Sequence, residues 1–218
     1  MTIDLLRDLL ARHARPDQTT AIDDVLISRV DESATSSSMS GTVLALIAQG
    51  AKHLALGDRI YEYGAGQYLI ASVDLPVTGH FVAATPERPA IGFGLILRPA
   101  LVAELLLQAA PGDLPPVPPG APSGLAVSDA PAPLVDAVIR LVQLLDETRD
   151  RTVLAPLIKR EILWRLINGE QGATVRQLGL ADSSLTHIAR AVRWIRDNYA
   201  ESIRVEEVAH LSGMSVSA

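Results

Sequence analysis

Between Val25 and Arg98 the apolar residues come in short runs: VLISRV, TVLALIAQG, KHLALGDRIYEYG, GQYLIASVDLPV, HFVAAT and AIGFGLILR. The breaks carry Ser36 to Ser38, Gly57-Asp58, Gly64 to Gly66, Pro76, Thr78-Gly79 and Pro86 to Pro89. Short strands at close spacing with turn chemistry between them predict a sandwich or small barrel. The alternation adds detail. Tyr61 and Tyr63 share one face of their strand, while Tyr68, Ile70 and Ser72 share a face opposite Leu69 and Ala71. The permissive turn Gly64 to Gly66 makes these two strands expected hairpin neighbours.

Helical patterns flank this region. Ile3 to Ala14 places leucines at 5, 6, 9 and 10, an amphipathic helix closed off by Pro16 and suited to cover one face of a sheet. Ala100 to Ala109 is an apolar helix with Pro99 near its first turn. Gly112 to Pro122, with several prolines, reads as a stiff connector. Leu134, Val138, Leu141, Val142 and Leu145 form a helical stripe, and Val153 to Asn168 form a further helix. Burying each large apolar side chain contributes ~1.5–3 kcal/mol before entropy is counted, so these helices need partners. The sheet, each other, or the same helices of a second subunit would serve. Gly169 to Leu180, with three glycines, reads as a linker.

With 218 residues, 48% hydrophobic content and mean hydropathy +0.24, the chain can bury a real core. It contains no Cys, so a disulfide framework and a thiolate metal site or nucleophile are excluded. Charges interrupt the leucines of the first 17 residues, unlike a signal peptide, and no uncharged stretch approaches a membrane span. The reading is of a soluble, cytoplasmic protein with no membrane partner. The net charge of −6 and pI near 5.3 give nucleic-acid binding no support.

The stretch from Ser183 to Ala218 has its own grammar. Ile188, Val192 and Ile195 recur at helical spacing behind the N-caps Ser183 and Ser184, for a helix ending near Asn198. Val205, Val208, Ala209 and Leu211 make a second short pattern that stops at Gly213, and Ser215 sits where a third helix would be capped. Helix, Gly-containing turn and N-cap are the parts of a helix-turn-helix. At Ile188 to Tyr199 (IARAVRWIRDNY) and Val205 to Ser215 (VEEVAHLSGMS) the chain resembles the start of the DNA-binding domain of AraC/XylS-type transcription regulators. In that family the run leads into a recognition helix, a long linker helix and a second helix-turn-helix. Because the sequence stops at Ala218, the expectation is a truncated regulator that retains effector binding and dimerisation and lacks specific operator binding.

The middle of the chain also resembles the N-terminal effector domain of one branch of these regulators. The residues are Gln49-Gly50-Ala51-Lys52, Gly57, Tyr63, Gln67-Tyr68-Leu69, Val73-Asp74-Leu75-Pro76-Val77 and the helix after Arg98-Pro99. The resemblance implies an α+β protein: a cupin-like β-barrel over about 20–98, helices over about 99–169, and an incomplete helix-turn-helix segment. The expected domains are 1–170 for effector binding and dimerisation, 171–182 as linker, and 183–218 as the partial DNA-binding domain. The implied partners are a small-molecule effector, DNA in the full-length protein, and a second copy of the chain.

Candidate ligand-binding residues are Tyr61, Tyr63, Tyr68, Ser72 and His80, polar handles on otherwise apolar strands. Tyrosine is common in sheets by propensity, so each also has a purely structural reading. Lys52, at a strand end, reads as a solvated charge. Candidate DNA-proximal residues are Arg193, Arg196, Ser215 and Ser217, although base contacts in such motifs come from the second helix. A cupin-like barrel raises the alternative of a metal-dependent enzyme with a helical extension. However, His13, His53, His80, His187 and His210 include no close His-x-His pair or His-plus-carboxylate cluster. No phosphate-binding loop, dinucleotide fingerprint or nucleophile elbow appears. The expectation is therefore no metal, no cofactor and no catalysis.

Overall fold

The computed structural model describes residues 2–33, 36–39, 41–72, 76–110, 112–116, 124–179, 194–195, 198 and 204–212. Helix α1 (Thr2–His13) precedes eight strands: β1 (Val25–Val30), β2 (Ser36–Met39), β3 (Val43–Gln49), β4 (Ala51–Leu56), β5 (Arg59–Gly64), β6 (Gln67–Ala71), β7 (Pro76–Val82) and β8 (Ala90–Ile96). Then follow α2 (Pro99–Gln108), β9 (Leu125–Asp129), α3 (Ala132–Gln143), α4 (Thr148–Ile167), α5 (Gly172–Gly179) and α6 (Val205–Ser212). The strands form two antiparallel sheets, β1-β8-β3-β6-β9 and β2-β7-β4-β5.

Strand periodicity explains the layering. In β3, Leu44, Leu46 and Ala48 face the helices, while Ile47 faces the smaller sheet. In β6, Tyr68 and Ile70 point to the helices, and Leu69 and Ala71 to the smaller sheet. Two apolar layers result. The larger lies between the five-stranded sheet and helices α1, α3 and α4, where Leu6, Leu10, Leu134, Val138, Leu141 and Ile162 are buried. The smaller lies between the sheets.

The α+β class stands, but closure does not. Among the described residues no strand of one sheet pairs with a strand of the other, so the expected cupin-like β-barrel is an open two-layer sandwich. The expected β5–β6 hairpin is corrected with it. β5 pairs with β4, and β6 pairs with β3 and β9. The turn between them is a corner at which the chain crosses from one sheet to the other. Gly66 adopts φ +85°, its N–H donates to the Ile47 carbonyl at 2.9 Å, and its carbonyl accepts from Ala130 N at 2.8 Å. Those bonds tie the corner to β3 and to the end of β9, leaving β5 free to pair elsewhere.

Two further expectations change. Ser36 to Ser38, expected as a break, lie in β2, an edge strand held by backbone pairing to β7. The expected linker holds helix α5, which packs against α2 and α4 with Val175 fully buried. Its glycines provide close approach: a Cβ on Gly172 would lie 2.2 Å from the Ile167 carbonyl oxygen, and one on Gly179 would lie 2.8 Å from Ala103 N.

A partly buried charge joins sheet and helices. Asp24, just before β1, adopts φ +69° and receives two 2.7 Å hydrogen bonds from the Arg98 guanidinium at the start of α2. Lys159 of α4 lies 3.4 Å from the same carboxylate and donates to the Asp23 carbonyl at 3.0 Å. Burial pushes the Asp24 pKa up, but the Arg98 hydrogen bonds and the charges of Lys159 and Arg98 outweigh it and hold the group below its ordinary value.

Candidate functional site

The smaller sheet carries different chemistry on its two faces, and strand register separates them. Lys52 of β4 lies between Tyr63 of β5 and Phe81 of β7. The next position, His53, lies between Glu62 and His80. Tyr63 belongs to the apolar layer between the sheets, with Tyr61 and Phe81 packed against it, so the row Phe81–Lys52–Tyr63 faces inward. The row His80–His53–Glu62 therefore faces the other way, because neighbouring residues of a strand point to opposite faces.

The inward row is apolar apart from its amine and phenol. Leu54, Val77, Ile47 and Leu69 are buried beside it. Lys52 Nζ lies 5.1 Å from the Phe81 ring centroid. Its stem crosses β7 at Gly79, where a Cβ would come within 3.2 Å of Lys52 Cε. Burial pushes the Lys52 pKa below its ordinary value, and no carboxylate acts against that shift. A cation–π contact returns about 0.5–2 kcal/mol, less than the several kcal/mol a desolvated ammonium costs. Burial pushes the Tyr63 phenol well above its ordinary range.

On the outward face, the His53 and His80 rings meet edge to face with centroids 5.1 Å apart, and His53 Nε2 lies 3.1 Å from a Glu62 carboxylate oxygen. Among the described residues no group of three His, Cys, Asp or Glu has the geometry to hold a metal ion.

The five sequence candidates are thus divided. Tyr61 and Tyr63 share the interlayer. Tyr68 is buried on the opposite side of the larger sheet, its phenol near Ser128, whose hydroxyl accepts from Gln171 Nε2 at 3.0 Å. Ser72 is buried at the end of β6, with its hydroxyl 3.4 Å from the Gly124 carbonyl oxygen. His80 lies in the outward row. Sequence reasoning passed over Lys52 as a solvated strand-end charge, whereas its parity with Leu54 and Leu56 places it inward. Arg193, Arg196, Ser215 and Ser217 lie outside the described residues. Of the terminal segment, α6 is helical where its apolar pattern predicts, and Asn198 Nδ2 donates to the Trp194 carbonyl at 2.8 Å.

The model of the AraC-type transcriptional regulator N-terminus matches residues 21–174, which include both sheets and helices α2, α3 and α4. The chain belongs to this family. No curated protein matches it. Among solved structures, apo ToxT from Vibrio cholerae strain SCE256, carrying one substitution, is similar with TM-score 0.53 and 10% identity, over 90% of this chain and 73% of that one. The AraC-like transcriptional activator CuxR is similar with TM-score 0.42 and 14% identity, over 98% of this chain and 81% of that one. ToxT from the same strain bound to an unsaturated fatty acid is similar with TM-score 0.45 and 10% identity, over 89% and 88% of the two chains. The first of these shares the fold. Within this AraC-type regulator, the matched region contains both rows of the smaller sheet and ends inside α5.

Proposed function

We propose that this AraC-type regulator senses a small molecule between its two sheets, dimerises through α3 and α4, and passes the signal to a DNA-binding segment beginning near residue 183. In this reading it works in the cytoplasm and performs no catalysis. Among the described residues no helix is long and apolar enough to cross a membrane. The observation that carries the sensor assignment is the inward row of the smaller sheet. Tyr61, Tyr63 and Lys52 give polar handles to an otherwise apolar space, the usual composition of a small-molecule site. Dimerisation is supported by the exposed apolar side chains Val153, Leu154 and Leu157 on α4, beside a groove of about 420 Å³ between α3 and α4. The resemblance of residues 188–215 to the first helices of the family's DNA-binding domain supports the reading of the terminal segment.

An effector acts only through unequal affinity for two arrangements of the protein. The reading is tested by screening metabolites for thermal stabilisation of this chain, then measuring operator binding with and without the hit in a form of the protein that carries a complete DNA-binding domain. A ligand that stabilises the chain and alters operator affinity supports it; no stabilising ligand, or one without effect on DNA binding, refutes the sensor role. Sedimentation of Leu157→Asp tests the dimer, which this change is expected to convert to monomer.

A further inference from the structure

We infer that the cleft between the end of α1 and the start of α4 binds the phosphate group of a phosphomonoester, received as a dianion by Arg12, Arg15 and Arg151. The cleft lies on the helical side of the larger sheet, so the inference is independent of the reading of the smaller sheet.

The charge balance is the first observation. A cleft of about 340 Å³ is lined by Arg12 and His13 at the end of α1, by Arg15 and Thr20 in the segment that follows, and by Leu145 and Arg151. Among the described residues one carboxylate, Asp146, lies within ion-pair distance of these cations: it meets Arg12 and lies 3.2 Å from His13 Nε2. Asp17, close to Arg15 in the chain, is held by the Thr19 hydroxyl at 2.8 Å and the Thr19 N–H at 3.1 Å. Those bonds, and after them the charge of Arg15, keep the Asp17 pKa below its ordinary value. Glu147 lines the groove between α3 and α4 instead. Three guanidinium groups against one carboxylate leave an excess of two positive charges in the cleft. A phosphomonoester near neutral pH carries the opposite charge.

The second observation is Arg151. It is half-buried near the start of α4, and among the described residues its guanidinium makes no hydrogen bond or ion pair. A helix dipole disfavours a cation at that end. Arg12 differs on both counts, because it sits in the last turn of α1, where a cation is favoured, and has Asp146 as its partner. The placement of Arg151 therefore costs stability, and an anion in the cleft would offset that cost.

The third is the construction of the walls. The Thr20 hydroxyl is already occupied, 3.0 Å from the Ile22 and Val25 carbonyl oxygens and accepting from the Ile22 N–H at 3.1 Å. Recognition thus falls to the guanidinium groups, whose planar forks match pairs of phosphate oxygens. The segment that carries Arg15 and Thr20 is fixed by the Gln18 N–H on the Arg15 carbonyl at 3.0 Å and the Ile27 N–H on the Gln18 carbonyl at 2.9 Å. The cations are therefore brought together by packing of separate segments, and the volume is that of a small-molecule site, with Leu145 beside the body of the ester.

The test is calorimetric titration of the 218-residue chain, at fixed ionic strength in chloride, with inorganic phosphate, phenyl phosphate and dimethyl phosphate. Phenyl phosphate is expected to bind at least as tightly as inorganic phosphate, and dimethyl phosphate, a tetrahedral monoanion, about tenfold or more weakly. Arg151→Gln is expected to weaken phenyl phosphate about tenfold or more. Arg149→Gln removes the same charge from an exposed position on the same helix and should leave the affinity within about twofold, because solvent screens it. Without phosphate, Arg151→Gln should melt at or above the wild-type temperature, since a cation leaves the start of α4. In wild-type protein, phenyl phosphate should shift the backbone amide signals of Ala14 and Ala21, a reading that needs no variant. The inference is overturned if phenyl phosphate does not bind, if dimethyl phosphate binds as tightly, or if inorganic phosphate binds more tightly than the ester. Equal weakening by the two arginine variants, or an Arg151→Gln protein that melts lower in the absence of phosphate, overturns it as well.

Discussion

Replacing Asp24 by Asn removes one charge while leaving the backbone able to hold its conformation. Asn tolerates the left-handed region nearly as well as Asp, so the φ of +69° adds little strain. What changes is the pairing. The carboxylate accepts from both Arg98 nitrogens, whereas an amide presents one oxygen and an NH₂ that opposes an Arg98 donor. Lys159, with a side chain only 14% exposed, loses its counter-charge and keeps the Asp23 carbonyl. Asp24 itself is 10% exposed and Arg98 58%, so the site falls between an exposed pair, worth about 1 kcal/mol or less, and a buried one, whose disruption costs about 3–5. The expected loss is about 2–3 kcal/mol, or about 5–10 °C in melting temperature for a chain of this size. Urea unfolding and calorimetry read it directly.

The pH dependence gives a second reading of the same pair. The folded-state pKa of Asp24 is lowered, so its stabilisation is fully present above the unfolded-chain value of about 4. It is lost as pH falls through the still lower folded value. The gap between wild type and Asp24→Asn should therefore be constant above about pH 5 and should close in acid. A variant within about 0.5 kcal/mol of wild type at neutral pH, or a gap that persists after Asp24 is protonated, would refute the account.

Three other outcomes follow from the packing. Gly179→Ala should destabilise the protein by about 1–3 kcal/mol in urea unfolding despite alanine's helix preference of about 1 kcal/mol, because the new Cβ meets Ala103 N; a stabilised variant would contradict the docking of α5. Tyr68→Phe should cost about 1 kcal/mol or less through the lost polar contact with Ser128 and leave ligand affinity unchanged, whereas a loss of ligand binding would place Tyr68 in the site. Burial raises the phenol pKa of both Tyr63 and Tyr68, so a phenolate absorbance titration should contain two groups that ionise above the ordinary tyrosine range. The unfolded chain ionises first, so stability should fall as pH rises above about 10; early, reversible ionisation of all the tyrosines would count against their burial.

Local pattern was enough for the elements whose partners are close or whose periodicity is strong. The leucines of α1, the stripe Leu134, Val138, Leu141 and Val142, and the shared face of Tyr61 and Tyr63 all read directly from spacing. Long-range choices did not. A Gly64 to Gly66 turn looks the same whether the next strand returns beside β5 or crosses to the other sheet, and the deciding bonds run to Ile47 and Ala130. The glycines of 169–180 suggested freedom, but at Gly172 and Gly179 the missing side chain permits contact. β2 is serine-rich, so no apolar alternation marks it, and β9 is a five-residue strand that takes its place by pairing with β6. In the smaller sheet, alternation in KHLAL puts Lys52 on the face of Leu54 and Leu56, although a charged residue near a strand end reads as solvated by its type alone.

The two contact glycines of α5 have a mechanical meaning. With Gly172 seated on the end of α4 and Gly179 against the backbone of α2, the helix is held at both ends and has little slack. Under the proposed sensor role, a shift of either supporting helix would be passed to residue 179 as a push or a turn. One residue added within α5 would rotate its far end by about 100°, so under the proposed sensor role the response would depend on the length of α5 as well as on the ligand.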